Sequence, residues 1–492
     1  MARFDVTEHG AAGDGETADT AAVQSAIDAC AAAGGGTVVV PAGEYVCAPL
    51  FLKSDVEVHL EAGATLLGSQ DVDAYPVIPG RHEGLERDVH ASLITALDRE
   101  NVAVTGEGTI DCRGRPWWVL HWHYYLLRKE RGLSREEHFP SPHEADLDHP
   151  RPRAINLINC ANVRLADVTI RNSPSWTVHP VYCENVTMDG LTVENPEFSP
   201  NTDGLNPDSC SNVRIANCHV DVGDDCVTIK SGYDEDGRRV GEACENVTVT
   251  NCTMRRGHGG VVIGSEMSGD VRNVTVSNCV FDGTDRGLRI KTERGRGGVV
   301  ENVRATNLVM DDVVDHAFVF TMRYGGGDAE YQPVDEGTPT IRNVHYSDIT
   351  VTGARTIANF DGLPERPIDD VSLSDVHADA REAGIDASYV TGLLLDNVVA
   401  DVAGDAPALD ASNVETLEVD RLRDPSPDPD VPVLRFRDVD GALVTSCTAV
   451  AGTGTFLELV GDGNRDVVLQ GNLLAKAERE RVAVEEAGRN GD

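Results

Sequence analysis

Residues 246–254 read NVTVTNCTM, and residues 273–281 read NVTVSNCVF. Each opens on Asn-Val and then alternates, with Val, Thr and Ser dominant. This is the period-two signature of a half-buried strand. The Asn-Val pair recurs at Asn101, Asn162, Asn185, Asn212, Asn246, Asn273, Asn302, Asn343, Asn397 and Asn413. From Asn162 to Asn302 the successive spacings are 23, 27, 34, 27 and 29 residues. A variable period of this size, built from short strands and corners, predicts a solenoid of β-coils. A β-propeller would need blades of about 40–45 residues with their own signatures, and none is visible. The fold expected is all-β: a single parallel β-helix spanning residues 1–492.

Cysteine placement agrees with this. Cys160, Cys218, Cys252 and Cys279 each follow an Asn, and the last three lie six residues after the Asn of an Asn-Val pair. They read as small apolar residues in an interior stack. The chain has 12 Cys and no C-x-x-C pair, which speaks against zinc, and its length speaks against a disulfide scaffold.

A solenoid needs covered ends. In TADTAAVQSAIDACAAAGGG, Val23, Ile27 and Cys30 share a helical face, Asp19 or Thr20 can cap the start, and Gly34 can stop the helix. Residues 1–50 are therefore expected to form an N-terminal cap and entry. Residues 113–153 interrupt the coils as an inserted loop that holds Trp117, Trp118, Trp122, Tyr124 and Tyr125. Those aromatics suit either a mini-core that pins the loop or a wall of a carbohydrate pocket. Residues 155–330 and 331–475 continue as coils, and 476–492 read as a closing helix or a frayed tail.

Composition excludes several function classes. The 492 residues carry 42 Lys and Arg against 82 Asp and Glu, a formal charge of −40. That argues against a nucleic-acid partner. The acid is dispersed, as on the surfaces of proteins from salt-rich cytoplasm, so a halophilic source is expected. At molar salt the Debye length is only ~3 Å, which screens the self-repulsion. No stretch is long and apolar enough for a membrane span. MARFDVTEHG has no signal-peptide pattern, so the expected location is cytoplasmic.

Four short motifs carry the chemistry. Asp203 lies in NTDG, Asp224 and Asp225 in GDDC, His258 in GHGG, and Arg289 and Lys291 in RIK. From Asp203 to Asp225, to His258 and to Arg289, the steps are 22, 33 and 31 residues, each close to one coil. One coil is one inter-strand step of about 4.8 Å, so the motifs should align on one flank. Solvated corners would have no reason to align. Glycoside hydrolysis needs a proton donor and a carboxylate, and inversion classically leaves about 6.5–9.5 Å between them for water. A third carboxylate raises the pKa of the acid by repulsion. Arg289 and Lys291 alternate about Ile290, so both face one side, as an anionic sugar requires.

NTDG, GDDC, GHGG and RIK, in that order, resemble the motif set of the polygalacturonase family of glycoside hydrolases. FDVTEHGAAGDGETADTAAVQSAID resembles the entry segment of pectin-acting β-helices. The resemblance covers roughly residues 3–330. It implies a right-handed parallel β-helix and inverting hydrolysis of α-1,4-galacturonosyl bonds with no cofactor and no metal. By the same resemblance Asp224 is the general acid, Asp203 and Asp225 activate water, and His258 supports the acid or the substrate. Arg289 and Lys291 bind the galacturonate carboxylate, Tyr324 in FVFTMRYGGG contacts substrate, and Asn201 orients Asp203. GHGGVVIGSEMSG and TDRGLRIKTERGRGG are most similar to the exo-acting branch, for which the partner would be an oligogalacturonide or pectic polysaccharide. The alternatives are a hydrolase of another uronide such as rhamnogalacturonan, a pectate lyase, or a glycan-binding β-helix without activity.

Overall fold

The computed structural model describes residues 2–130 and 151–485. The chain forms two compact units, Met1–His258 and Gly259–Asp492. Each is a parallel β-helix, wound in the right-handed sense that parallel crossovers follow.

In the first unit, three columns of apolar residues run from coil to coil. Val38, Val58, Val104, Leu165, Met188, Ile215 and Val249 stand in register on one side. Tyr45, Leu66, Ile110, Ile170, Val193, Val220 and Met254 form the second column. Leu50, Ile94, Ile155, Val178, Leu205 and Val227 form the third. All are buried. The alternation read in the sequence is this arrangement: every second residue enters the core and its neighbour faces out.

The Asn-Val asparagines mark one corner of each coil. Asn101, Asn162, Asn185, Asn212 and Asn246 all have φ between 55° and 57°, the left-handed conformation that Asn tolerates better than other side-chain-bearing residues. Their amides stack: Asn162 Nδ2 donates to Asn101 Oδ1 at 2.9 Å, and Asn185 Nδ2 to Asn162 Oδ1 at 3.3 Å. In the second unit Asn302 donates to Asn273 at 3.0 Å and Asn343 to Asn302 at 2.6 Å.

All 12 cysteines are buried thiols. Cys183 lies between Cys160 and Cys210, and Cys218 contacts Cys252, so the sulfurs form interior stacks.

The cap is helix α1, Thr20–Ala32, with Val23, Ala26, Ile27 and Cys30 buried against the first coil. Asp19 holds the N-cap position without capping through its side chain. Its buried carboxylate instead accepts the N–H groups of Ala12 (2.6 Å) and Gly13 (3.1 Å), fastening the entry loop. The inserted segment begins as a second helix, α2, Arg115–Glu130, where the sequence suggested a loop. Trp117 and Trp118 are buried. Trp117 meets Tyr75 edge-on, and Trp118 Nε1 donates to the Ser173 carbonyl at 2.8 Å. The anchoring reading therefore holds for these two. Residues 131–150 of the insertion lie outside the described residues.

In the second unit Leu288, Phe318, Ala358, Ile385, Leu409, Leu434 and Leu457 form an equivalent interior column. The described part of the tail is neither helical nor frayed: Arg479–Val484 is a strand in register with Thr455–Val460. The alternation RERVAV, with Val482 and Val484 on one face, supports that pairing. Residues 486–492 lie outside the described residues. No helix among the described residues is long and apolar enough to cross a membrane.

Candidate active site

Strand pairing in the first unit places the acidic motifs on neighbouring corners. The Thr177 N–H donates to the Asp203 carbonyl at 2.8 Å, and the Gly204 N–H to the Asp225 carbonyl at 3.0 Å. A Cβ on Gly204 would sit 2.4 Å from the Cys226 carbonyl oxygen, so the glycine of NTDG permits the rungs to close. Gly257 has φ +65°, and a Cβ there would lie 2.6 Å from the Asp224 carbonyl oxygen. These two glycines thus let the NTDG and GHGG corners stack on either side of GDDC.

One oxygen from each of Asp203, Asp224 and Asp225 lies within 4.8 Å of the others. Asp203 Oδ2 accepts from Asn206 Nδ2 at 3.0 Å and from Thr228 Oγ1 at 3.2 Å. Asp203 and Asp225 are 3% and 1% exposed. Asp224 is the accessible member, with 19% of its side chain exposed. Its Oδ1 accepts the Asp225 N–H at 3.0 Å and lies 3.1 Å from His258 Nδ1. The NTDG corner therefore holds Asp203 in the interior. Asn201 has φ +53°, and its Oδ1 is taken by Arg151 Nη2 at 2.7 Å.

In the second unit Arg289 and Lys291 share a face of strand Arg286–Lys291, with Ile290 turned into the core. The Arg289 Cζ is 5.2 Å and the Lys291 Nζ 5.3 Å from the centre of the Tyr324 ring, so both cations pack on one aromatic ring. Tyr324 is 44% exposed, and its N–H donates to the Thr292 carbonyl at 3.0 Å.

A family model described as glycosyl hydrolases family 28 matches residues 140–392. The chain belongs to this family. Residues 3–82 of the family-28 chain also match a model described as rhamnogalacturonase A/epimerase, pectate lyase-like. The family-28 chain is similar to a probable polygalacturonase of Vitis vinifera, 35% identical over 75% of this chain and 73% of the relative. It is also similar to the exo-poly-alpha-D-galacturonosidase of Dickeya chrysanthemi, 28% identical over 70% of this chain and 62% of that protein. Among solved structures it resembles the hyperthermoactive exopolygalacturonase from Thermotoga maritima. That match has a TM-score of 0.71 and 33% identity, covering 81% of this chain and 91% of the other. The family-28 protein is accordingly a glycoside hydrolase.

Several residues around this family-28 site escaped the sequence reading. Arg81 and Asp208 form a fully buried pair, Nη1 to Oδ1 2.9 Å, and Arg81 also donates to Ser209 Oγ at 2.8 Å. Arg81 comes from the antiparallel hairpin Val77–His82 and Leu85–His90. Burial works to raise the Asp208 carboxyl, but Arg81, His179 and Lys230 outweigh it and hold the group below its ordinary range. Burial pushes His179 down to about 4, against the hydrogen bond from its Nε2 to Asp208. Trp176 meets two cations, Lys230 Nζ at 4.7 Å and Arg153 Cζ at 5.5 Å, and stacks on the His82 ring at 5.8 Å. Partners such as Arg81 and Asp208 are 127 residues apart in the chain, so no local pattern announces them.

Proposed function

We propose that the protein is an inverting, exo-acting hydrolase of α-1,4-galacturonosyl bonds in polygalacturonate and oligogalacturonides. The observation that carries this reading is the stacked trio Asp203, Asp224 and Asp225, with His258 on Asp224, in a family-28 chain. Relatives named as exo-acting on polygalacturonate support the substrate and the mode.

Three carboxylates this close repel one another, which favours a proton shared within the set. Asp224 is the exposed member and faces His258. In this reading it donates that proton to the glycosidic oxygen as the C–O bond breaks. Asp203 and Asp225 hold a water, take its proton, and direct its oxygen to the anomeric carbon on the opposite face. Asn206 and Thr228 fix Asp203 for that task. Arg289 and Lys291, braced on Tyr324, bind the galacturonate carboxylate.

Product analysis on defined oligogalacturonides tests this. Monomer released from one end, with the inverted anomer visible by NMR at early times, is the expected result. A spread of lengths would replace exo with endo action, and cleavage of rhamnogalacturonan alone would reassign the substrate. A second reading draws on the acid trio's capacity to hold a cation: a calcium-dependent lyase on the same fold. Ultraviolet-absorbing unsaturated products, abolished by chelator, would establish the lyase instead.

A further inference from the structure

Arg151 opens the coil that leads into strand Ile155–Ile158. Its guanidinium spans the next two coils. Nη1 donates to the Pro174 carbonyl at 2.8 Å and to the Pro200 carbonyl at 3.0 Å, and Nη2 donates to Asn201 Oδ1 at 2.7 Å. Asn201 adopts the left-handed conformation two residues before Asp203. One planar fork thus clamps the corner that carries the buried carboxylate.

We propose that Arg151 is a positioning residue of the hydrolytic site: it locks the Asn201–Asp203 corner, and its positive charge sets the pH range in which the acidic trio works. The inference rests on the reading of Asp203, Asp224 and Asp225 as the catalytic carboxylates. Arg151 feels the charges of Glu83, at the tip of the Val77–His90 hairpin, and of Asp203 and Asp224 on the corners. Arg153 from its own segment and His82 from the hairpin also face it. Burial pushes Arg151 down to about 10, and the three acids work against that shift. A guanidinium at about 10 is still charged at neutral pH. By reciprocity its charge favours the ionised carboxylates. Asp225 and His258 complete the charged and titratable surroundings of the trio. A backbone-anchored arginine is suited to this because its charge cannot swing away.

The experiment compares Arg151→Met and Arg151→Lys with the full-length parent on an oligogalacturonide, reading kcat, KM and the pH profile. Methionine removes both clamp and charge. Its kcat should fall about tenfold or more with KM nearly unchanged, and both limbs of the pH profile should move up by ~0.5–1 unit. Lysine keeps the charge but cannot span three acceptors. Its kcat should fall while its pH profile stays where the parent's is. A Met variant with the parent's kcat and pH limbs overturns the proposal, even if its melting temperature drops. A rise confined to KM also overturns it, since that marks a substrate-binding group. If the Met variant does not fold, the Lys variant decides, and parental kcat there is fatal. If the parent hydrolyses no uronide, the catalytic reading and this inference fall together. If the parent is active and Asp225→Asn is dead while Arg151→Met behaves as parent, the inference alone falls.

Discussion

His258 meets Asp224 twice. Its backbone N–H donates to the Asp224 carbonyl at 3.1 Å, and its Nδ1 lies 3.1 Å from Asp224 Oδ1. The backbone contact makes the side-chain contact a consequence of coil stacking. Asp224→Asn should lower kcat by ~10²–10⁴-fold, the range for loss of a general acid. His258→Ala removes one charge-assisted bond and should cost ~10–100-fold in kcat. Steady-state rates on a trimeric oligogalacturonide check both. A His258→Ala enzyme at parental rate would remove the histidine from the mechanism.

Arg289 and Lys291 face a single tyrosine ring. Lys291→Met should raise KM for a uronide ~10–100-fold, the worth of one charge-assisted hydrogen bond. Arg289→Lys should also raise KM, because the ammonium cannot form the paired bonds of the fork. The penalty should shrink on a methyl-esterified oligomer, which lacks the carboxylate. Equal penalties on the two substrates would argue that these cations do not bind the acid group.

His179 and Asp208 tie stability to pH with the same sign. His179 is held down to about 4 by burial. A base with a lowered folded pKa stabilises the fold above its unfolded value, near 6.5, and loses that contribution as pH falls toward 4. Asp208 is also lowered, so its contribution is present above the ordinary carboxylate range and lost below it. The unfolding midpoint in denaturant should therefore drop between pH 6.5 and 4, with up to roughly 3 kcal/mol from His179. His179→Asn should flatten that slope. An unchanged slope in the variant would place the acid sensitivity elsewhere.

The formal charge of −40 opposes a polyanionic substrate at long range. Activity on polygalacturonate should climb with salt under conditions where circular dichroism shows the protein folded throughout. A short, singly charged substrate should show a weaker rise. A flat profile on the polymer would mean that the surface charge does not govern encounter.

Much of the coil architecture was legible because burial on one face writes period two into the strands, and left-handed corners write asparagine into the turns. The acid trio was legible because coil length fixes the distance between corners along the chain. Arg151, Arg81 and His179 were not, since their partners come from other coils and from the hairpin. Helix α2 was hidden for another reason. Its run PWWVLHWHYYLL is apolar or aromatic on nearly all sides, so a 3.6-residue stripe does not stand out. The burial of Asp203 was not legible either, because it comes from the neighbouring coil that roofs its corner.

The asparagine ladder bears on how such a chain can change over generations. Each left-handed Asn restarts the strand phase, so residues added at another corner do not shift the register of the next coil. This is why spacings from 23 to 34 residues coexist in one solenoid. The ladder works like a row of page markers: material can be inserted between them while the pages stay in order. Corners can then lengthen around the acidic trio while the stacking that holds Asp203, Asp224 and Asp225 together is inherited unchanged.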